Sequence, residues 1–465
     1  MLKRIKVKGY KSLRDIDVEL PPLTVMFGPN AVGKSNFLEA LQLLSKITAG
    51  YRIKDAFYQP HRAKPLECFS FPPEGLEGLF DKQSICLSIE VDFTLSDFVV
   101  DSVNSQIEGF RPLSEVDEFF EIGESTELDM VNEPRMDGCV LKKHDLRYHI
   151  EIEMLPKMAT LRVKDEYLVP LNNKGEPLGG KGWYRYSFLV TRKRLDDSRL
   201  MLMREYPDVL MVRSAGLHHS ALSQSYDPRH YPYLIAARQE IASWRFFCFE
   251  PRERMRIPDP NKPTWHIGPM GEELPTYLHT LKLDSLLRLE SFENALRIML
   301  PKIDSIETYL DDRGDIELKV KENGVSASAR SLSDGTLRMM ALLAVGGTKE
   351  SPPLIGLEVP ENDIHPGRIQ LLAEMLKTQA IFTERSQYIV ATHSPILVDW
   401  VPKKSLFAVT NGDEGTRIEP FTAFGPLGRW FSTDLPPEDV DDSMDEMDPD
   451  SLRVSERILR GDFDD

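Results

Sequence analysis

Gly28-Pro29-Asn30-Ala31-Val32-Gly33-Lys34-Ser35-Asn36 lies between a short apolar run, Leu23-Thr24-Val25-Met26-Phe27, and a segment carrying Phe37, Leu38, Leu41 and Leu44 at helical spacing. The context is strand, glycine loop, helix. In the pattern G-x-x-x-x-G-K-[ST] the glycines take conformations closed to residues with a Cβ, so that successive backbone N–H groups converge on one point. The helix beginning near Gly33 aims its positive dipole end and unpaired amides at the same point. A triphosphate is the natural occupant. Lys34 reaches the β and γ phosphates as a point charge, and the Ser35 hydroxyl completes a Mg²⁺ shell.

Working outward, 465 residues exceed one ordinary core, and two domains or one domain with a large insertion are expected. A hydrophobic share of 41% with 28% charged residues is that of a globular protein. No apolar run is long enough for a bilayer span, and the basic start Met1-Leu2-Lys3-Arg4 leads into alternating residues instead of a signal-peptide core. A cytoplasmic protein with no membrane partner is expected. Cys68, Cys86, Cys139 and Cys248 are scattered without metal-site spacing and read as reduced structural thiols. A net charge of −17 argues against non-specific coating of nucleic acid, while leaving room for a local basic groove.

Residues 1–93 read as a first lobe: two short strands around the turn Gly9-Tyr10-Lys11-Ser12, the strand carrying the glycine loop, a helix, a proline-rich stretch and a strand from Ile85 to Phe93. Residues 94–233 read as an inserted subdomain, mostly β with some helix, including an acidic surface segment from Glu115 to Glu133 and a strand from Tyr184 to Arg194. Residues 234–410 form a second lobe, with a helix from Leu274 to Leu300 and a hairpin around Asn323-Gly324. Pro251-Arg252-Glu253-Arg254-Met255-Arg256 is locally basic, a solvated face or a nucleic-acid contact. Residues 411–465 read as an acidic, solvated extension.

Three further stations follow. Ser333-Asp334-Gly335 precedes an apolar helix, and alone it is an N-cap with a flexible residue. Leu354-Ile355-Gly356-Leu357-Glu358 is a buried strand ending in a carboxylate, continued by Val359-Pro360-Glu361-Asn362. Tyr388-Ile389-Val390-Ala391-Thr392-His393-Ser394-Pro395 is a strand ending in a histidine. Together with the glycine loop these motifs resemble the SMC/RecF branch of ABC-type ATPases, including stand-alone bacterial AAA-family ATPases and the ATPase half of OLD-family nucleases. The likeness covers residues 1–93 and about 240–410.

The resemblance implies an α/β P-loop fold, ABC-ATPase head-like, with mixed sheets. It implies ATP held by Gly28 to Asn36 and, from a second copy, by Ser333, Asp334 and Gly335. Mg²⁺ would be bound by Ser35 and Glu358, with Lys34, Glu358 and the γ-phosphate sensor His393 in the reaction. It further implies a homodimer or higher oligomer through an ATP sandwich, acting on DNA in repair or maintenance, or on a separately encoded effector in anti-phage defence. Membrane transport ranks last, for want of a span. One departure stands out. Where the family places a second acid to activate the attacking water, this chain has Val359. Slow hydrolysis is expected, with Glu361 or His393 as substitute base. The alternative is a non-hydrolysing ATP-dependent scaffold. No nuclease is expected in this chain, since only Pro402 to Asp465 remain after the last motif.

Overall fold

The computed structural model describes residues 1–58, 64–109, 141–194, 197–203, 209–213, 218–347, 351–412, 415–421 and 454–459. The chain opens on an antiparallel pair, β1 (Leu2–Tyr10) and β2 (Leu13–Glu19), joined at Lys11, whose φ is 47°. β3 (Leu23–Phe27) leaves that pair for another sheet and delivers the glycine loop and the helix Lys34–Ala49.

β4 (Ile85–Thr94) returns to β1, and β5 (Asp145–Leu155), β6 (Thr160–Pro170), β7 (Leu189–Arg194), β8 (Asp197–Met203) and β9 (Val209–Arg213) follow edge to edge. The result is one eight-stranded sheet in the order β2-β1-β4-β5-β6-β7-β8-β9. The block expected as an insertion is thus continuous with the first lobe, because β4 offers a free edge and β5 pairs with it from Ile85–Met154 to Thr94–Asp145. The strand expected from Tyr184 begins only at Leu189. Gly179 and Gly180 turn the chain at positive φ (90° and 53°), and Gly180–Arg185 winds into a 3₁₀ turn. The acidic stretches 115–133 and 438–448 lie outside the described residues.

The second half starts at β10 (Arg245–Phe247). A small sheet of β11 (Asp259–Pro260), β12 (Ile303–Leu310), β13 (Asp315–Glu322) and β14 (Val325–Ser328) follows, with β13 and β14 joined at Asn323-Gly324 as the turn signal foretold. The helix expected over Leu274–Leu300 is two, Leu274–Asp284 and Leu286–Met299, broken where Ser285 is extended at φ −160°.

β15 (Leu354–Glu358), β16 (Gln387–Ala391), β17 (Leu406–Gly412) and β18 (Gly415–Pro420) complete the central sheet, in the order β10-β15-β16-β3-β17-β18. All neighbours are parallel except β17 and β18. Since β18 runs to Pro420, the second lobe extends past the expected limit at 410. Period-two alternation builds a core on each face of this sheet. Met26, Leu354, Ile389, Phe407 and Val409 join one apolar cluster with the first lobe, and Val25, Ile355, Leu357, Val390 and Leu406 join the other with the second lobe. Strands apolar on both faces are what a covered parallel sheet requires. Their C-terminal ends, at Phe27, Glu358 and Ala391, lie side by side, where an open α/β sheet binds its ligands.

Candidate nucleotide-binding site

The glycine loop follows β3 directly, with Gly28 at φ 147°, Ala31 at 65° and Gly33 at 112°. The glycines are needed for space as well as conformation. A Cβ on Gly28 would sit 2.1 Å from the Val409 carbonyl oxygen on β17, and one on Gly33 would sit 2.2 Å from Thr416 Oγ1 on β18. The loop is pinned from outside: Thr416 Oγ1 donates to the Val32 carbonyl at 2.6 Å, and Asn36 Nδ2 donates to Ser12 Oγ at 2.7 Å. The helix Lys34–Ala49 starts with no side-chain cap on Gly33, and the first amides of a helix have no partner within it, so donors stand at the helix start beside the loop. Those donors, on a cradle a Cβ would fill, fit a polyphosphate.

Lys34, only 4% exposed, donates to the Gly28 and Pro29 carbonyls at 2.7 and 2.6 Å. Burial pushes its ammonium down to about 8, against the opposing pull of Glu361. Ser35 Oγ donates to Glu358 Oε1 at 2.6 Å, which joins the end of β15 to the loop. A serine hydroxyl beside a carboxylate is a hard-oxygen donor set that fits Mg²⁺.

Glu361 is 7% exposed, and its Oε1 accepts three hydrogen bonds, from Thr392 Oγ1 at 2.5 Å, His393 N at 3.0 Å and Ser394 N at 3.1 Å. It ties the turn after β15 to the turn after β16. Its Oε2 is buried without a protein partner. Glu361 therefore brackets the turn after β16 through one oxygen and keeps the other without a protein partner. His393 is exposed overall, and partial burial, with the Lys34 charge, lowers its pKa below the usual imidazole value. A neutral ring can accept a proton.

Val359, in the place of the second acid, has φ 44°, while its N–H donates to the Ala391 carbonyl at 2.8 Å. A β-branched side chain in the left-handed region is strained by roughly 1–3 kcal/mol. The turn is thus held against the preference of its own residue.

Ser333 caps the helix Asp334–Gly346: its Oγ accepts from the Thr336 amide at 3.1 Å and lies 2.8 Å from Thr336 Oγ1. Gly335 is packed so closely that a Cβ would sit 2.4 Å from the Asp363 carbonyl oxygen. Asp334 meets two cations that sequence reasoning did not connect with it, Arg252 and Arg256, while residues 252–254 are exposed, as a solvated face would be. The geometry brings Gly28 to Asn36, Glu358, Glu361 and His393 to one locus. Among the described residues, the hydrogen bonds and ion pairs of Ser333 and Asp334 run to Thr336, Arg252 and Arg256 and none reaches the glycine loop. Ser12 and Thr416 were also missed, since each acts through one hydroxyl in a turn or strand with no motif of its own.

Residues 1–171 match a family described as an AAA ATPase domain, and residues 275–399 match one described as an AAA domain, putative AbiEii toxin, Type IV TA system. Over 101 residues the chain is 33% identical to the OLD nuclease of Thermus scotoductus, covering 20% of this chain and 19% of that protein. Over 94 residues it is 30% identical to the DNA replication and repair protein RecF of Lactococcus lactis, covering 20% and 24%. The matched segments thus span about a fifth to a quarter of these relatives. Among solved structures, an SMC head bound to the C-winged helix domain of ScpA aligns with 90% of this chain and 97% of its own, at 12% identity and a TM-score of 0.48. The SMC head domain from Thermotoga maritima aligns with 90% and 98%, at 13% identity and a TM-score of 0.38. No helix among the described residues is long and apolar enough to cross a membrane. With the glycine loop, Glu358 and His393 at adjoining strand ends and AAA-type ATPase domain families matched over residues 1–171 and 275–399, the chain carries ATPase domains of the AAA type and is similar over part of its length to OLD and RecF proteins.

Proposed function

We propose that the protein binds Mg²⁺-ATP on the loop Gly28–Asn36, pairs head to tail with a second copy whose Ser333 helix caps the γ-phosphate, and hydrolyses ATP slowly. The observation that carries the reading is the convergence of Lys34, the Ser35–Glu358 pair and His393 at the C-terminal ends of three adjacent strands. That the polar partners of Ser333 and Asp334 lie outside the glycine loop supports a composite site completed by another copy.

When bound, Mg²⁺ would supply charge neutralisation on the phosphates, and Ser35 and Glu358 are the residues that would hold it. The chain's own contributions are distinct. The loop amides and Lys34 orient the triphosphate and carry its charge. Glu361 fixes the His393 backbone, so the imidazole is presented at a set height. Val359 offers no proton acceptor, and loss of a general base costs roughly 10²–10⁴ in rate. The His393 ring and the unpartnered Oε2 of Glu361 are the acceptors that remain, so turnover is low and the ATP-bound state long-lived.

The RecF relative's name supports a role in DNA maintenance. A separately encoded effector, with the ATPase as its ATP-dependent scaffold, is the second reading, and Val359 favours it. The test is sedimentation of the purified protein with ATP, ADP or no nucleotide, in the presence of Mg²⁺. ATP alone should give the dimer; identical sedimentation in all three would remove the composite site. DNA binding is then read by titrating salt, since a phosphate-driven complex weakens steeply.

A further inference from the structure

Asp334 opens the helix that Ser333 caps, so a carboxylate stands at the point where the composite site needs an anion receptor. Unneutralised, it would repel a phosphate approaching the helix start. The chain places two guanidiniums on it. Arg252 Nε donates to Asp334 Oδ2 at 2.6 Å, and Arg256 Nη2 donates to Oδ1 at 2.5 Å. Arg256 is further fixed by the Arg330 and Leu332 carbonyls, at 2.7 and 2.8 Å. Its side chain is 26% exposed and that of Asp334 13%, whereas that of Arg252 is 81% exposed. One arginine is built in and the other stands in solvent. Asp363 also acts on Arg252 and is itself paired with Arg338 at 3.5 Å, so three cations face two carboxylates and a net positive charge remains at the helix start, where the macrodipole has the same sign.

Resting on the composite-site reading, we infer that Arg252 and Arg256 form a clamp that neutralises Asp334 and turns the Ser333 helix into a receptor for the triphosphate held by a second copy. Arg256 is the positioning residue. Arg252, the exposed member, exchanges its carboxylate partner for the phosphate when the copies meet, since a planar guanidinium serves either anion equally well. An ornamental surface ion pair would contribute little to anything, and the two readings separate by charge balance.

The experiment compares ATP-dependent dimerisation by sedimentation in the full chain, its R252A/R256A variant and the triple variant R252A/R256A/D334G, with binding of a fluorescent ATP analogue to each as the control for the fold. The double variant should dimerise at least tenfold more weakly, while at dilutions where both proteins are monomeric it binds the analogue as the parent does. The triple variant, with no carboxylate left to neutralise, should recover most of that loss. Should the double variant fail to bind the analogue, R252A alone carries the comparison and should weaken the dimer in the same direction. Dimerisation of the double variant at parental strength would overturn the clamp and leave the composite site standing, and so would a loss that D334G does not relieve. A parent chain that stays monomeric with ATP would overturn both.

Discussion

Ser35 Oγ donates to Glu358 Oε1 at 2.6 Å, although the two residues stand 323 positions apart in the chain. The contact exists because β3 and β15 flank β16 in one parallel sheet, with Met26, Ala391 and Glu358 in register at its C-terminal edge. Replacing Ser35 by alanine removes a hydroxyl but little volume. It should weaken Mg²⁺-dependent ATP binding by about tenfold or more, on the scale of one charge-assisted hydrogen bond, while leaving the melting temperature nearly unchanged. Calorimetric titration with and without Mg²⁺ reads this directly.

Lys34 gives a pH signature. Its pKa in the free protein is held down to about 8 by burial. A triphosphate beside it stabilises the charged form, so binding takes up a proton once the pH exceeds that value. Affinity should be flat with respect to Lys34 below about pH 8 and fall above it, by up to about tenfold per unit. Titrations in buffers of differing ionisation heat should show net proton uptake near pH 9 that Lys34→Ala abolishes.

Glu361 is a bracket with three donors on one oxygen. Glu361→Ala leaves the His393 amide unpaired and the Thr392 hydroxyl without its acceptor, while the Ser394 amide keeps Thr392 Oγ1 at 3.0 Å, and should destabilise the protein by roughly 1–3 kcal/mol. Glu361→Gln keeps an acceptor of the same shape and should lose much less. Denaturant midpoints rank the two.

Gly28 is limited by the Val409 carbonyl, 2.1 Å from where a Cβ would stand. Gly28→Ala should therefore lower thermal stability as well as ATP binding, unlike Ser35→Ala. A variant that binds weakly but melts as the parent does would show that the glycine serves only the ligand.

Val359 at φ 44° is the opposite case. Asparagine tolerates the left-handed region far better than a β-branched residue, so Val359→Asn should raise the melting temperature, a gain of about 1 kcal/mol at this single position. An unchanged or lowered value would mean that packing of the valine side chain offsets the strain.

Much of this site was legible because its stations are strand ends. Largely apolar pentads such as Leu23–Phe27 and Leu354–Glu358 announce a parallel core, and the residue that follows each one stands at the C-terminal edge of the sheet. What periodicity cannot carry is which loops close over those ends. Thr416 lay in a stretch read as an acidic extension, yet β18 brings it onto the glycine loop. Ser12 sat in a turn with no more signal than a change of direction. The extent of the first sheet was missed for a related reason: β5 and β6 alternate correctly, but alternation does not say which edge they join. Arg252 and Asp334, paired at 2.6 Å, carry no mark of their pairing 82 residues apart in sequence.

The claim that Val359 slows a site otherwise equipped for turnover is tested most directly by steady-state ATP hydrolysis of the purified protein beside Val359→Glu. Restoring a carboxylate at that turn should raise the rate by roughly 10²-fold or more, the usual worth of a general base, with ATP affinity unchanged. Comparable rates in the two proteins would contradict it.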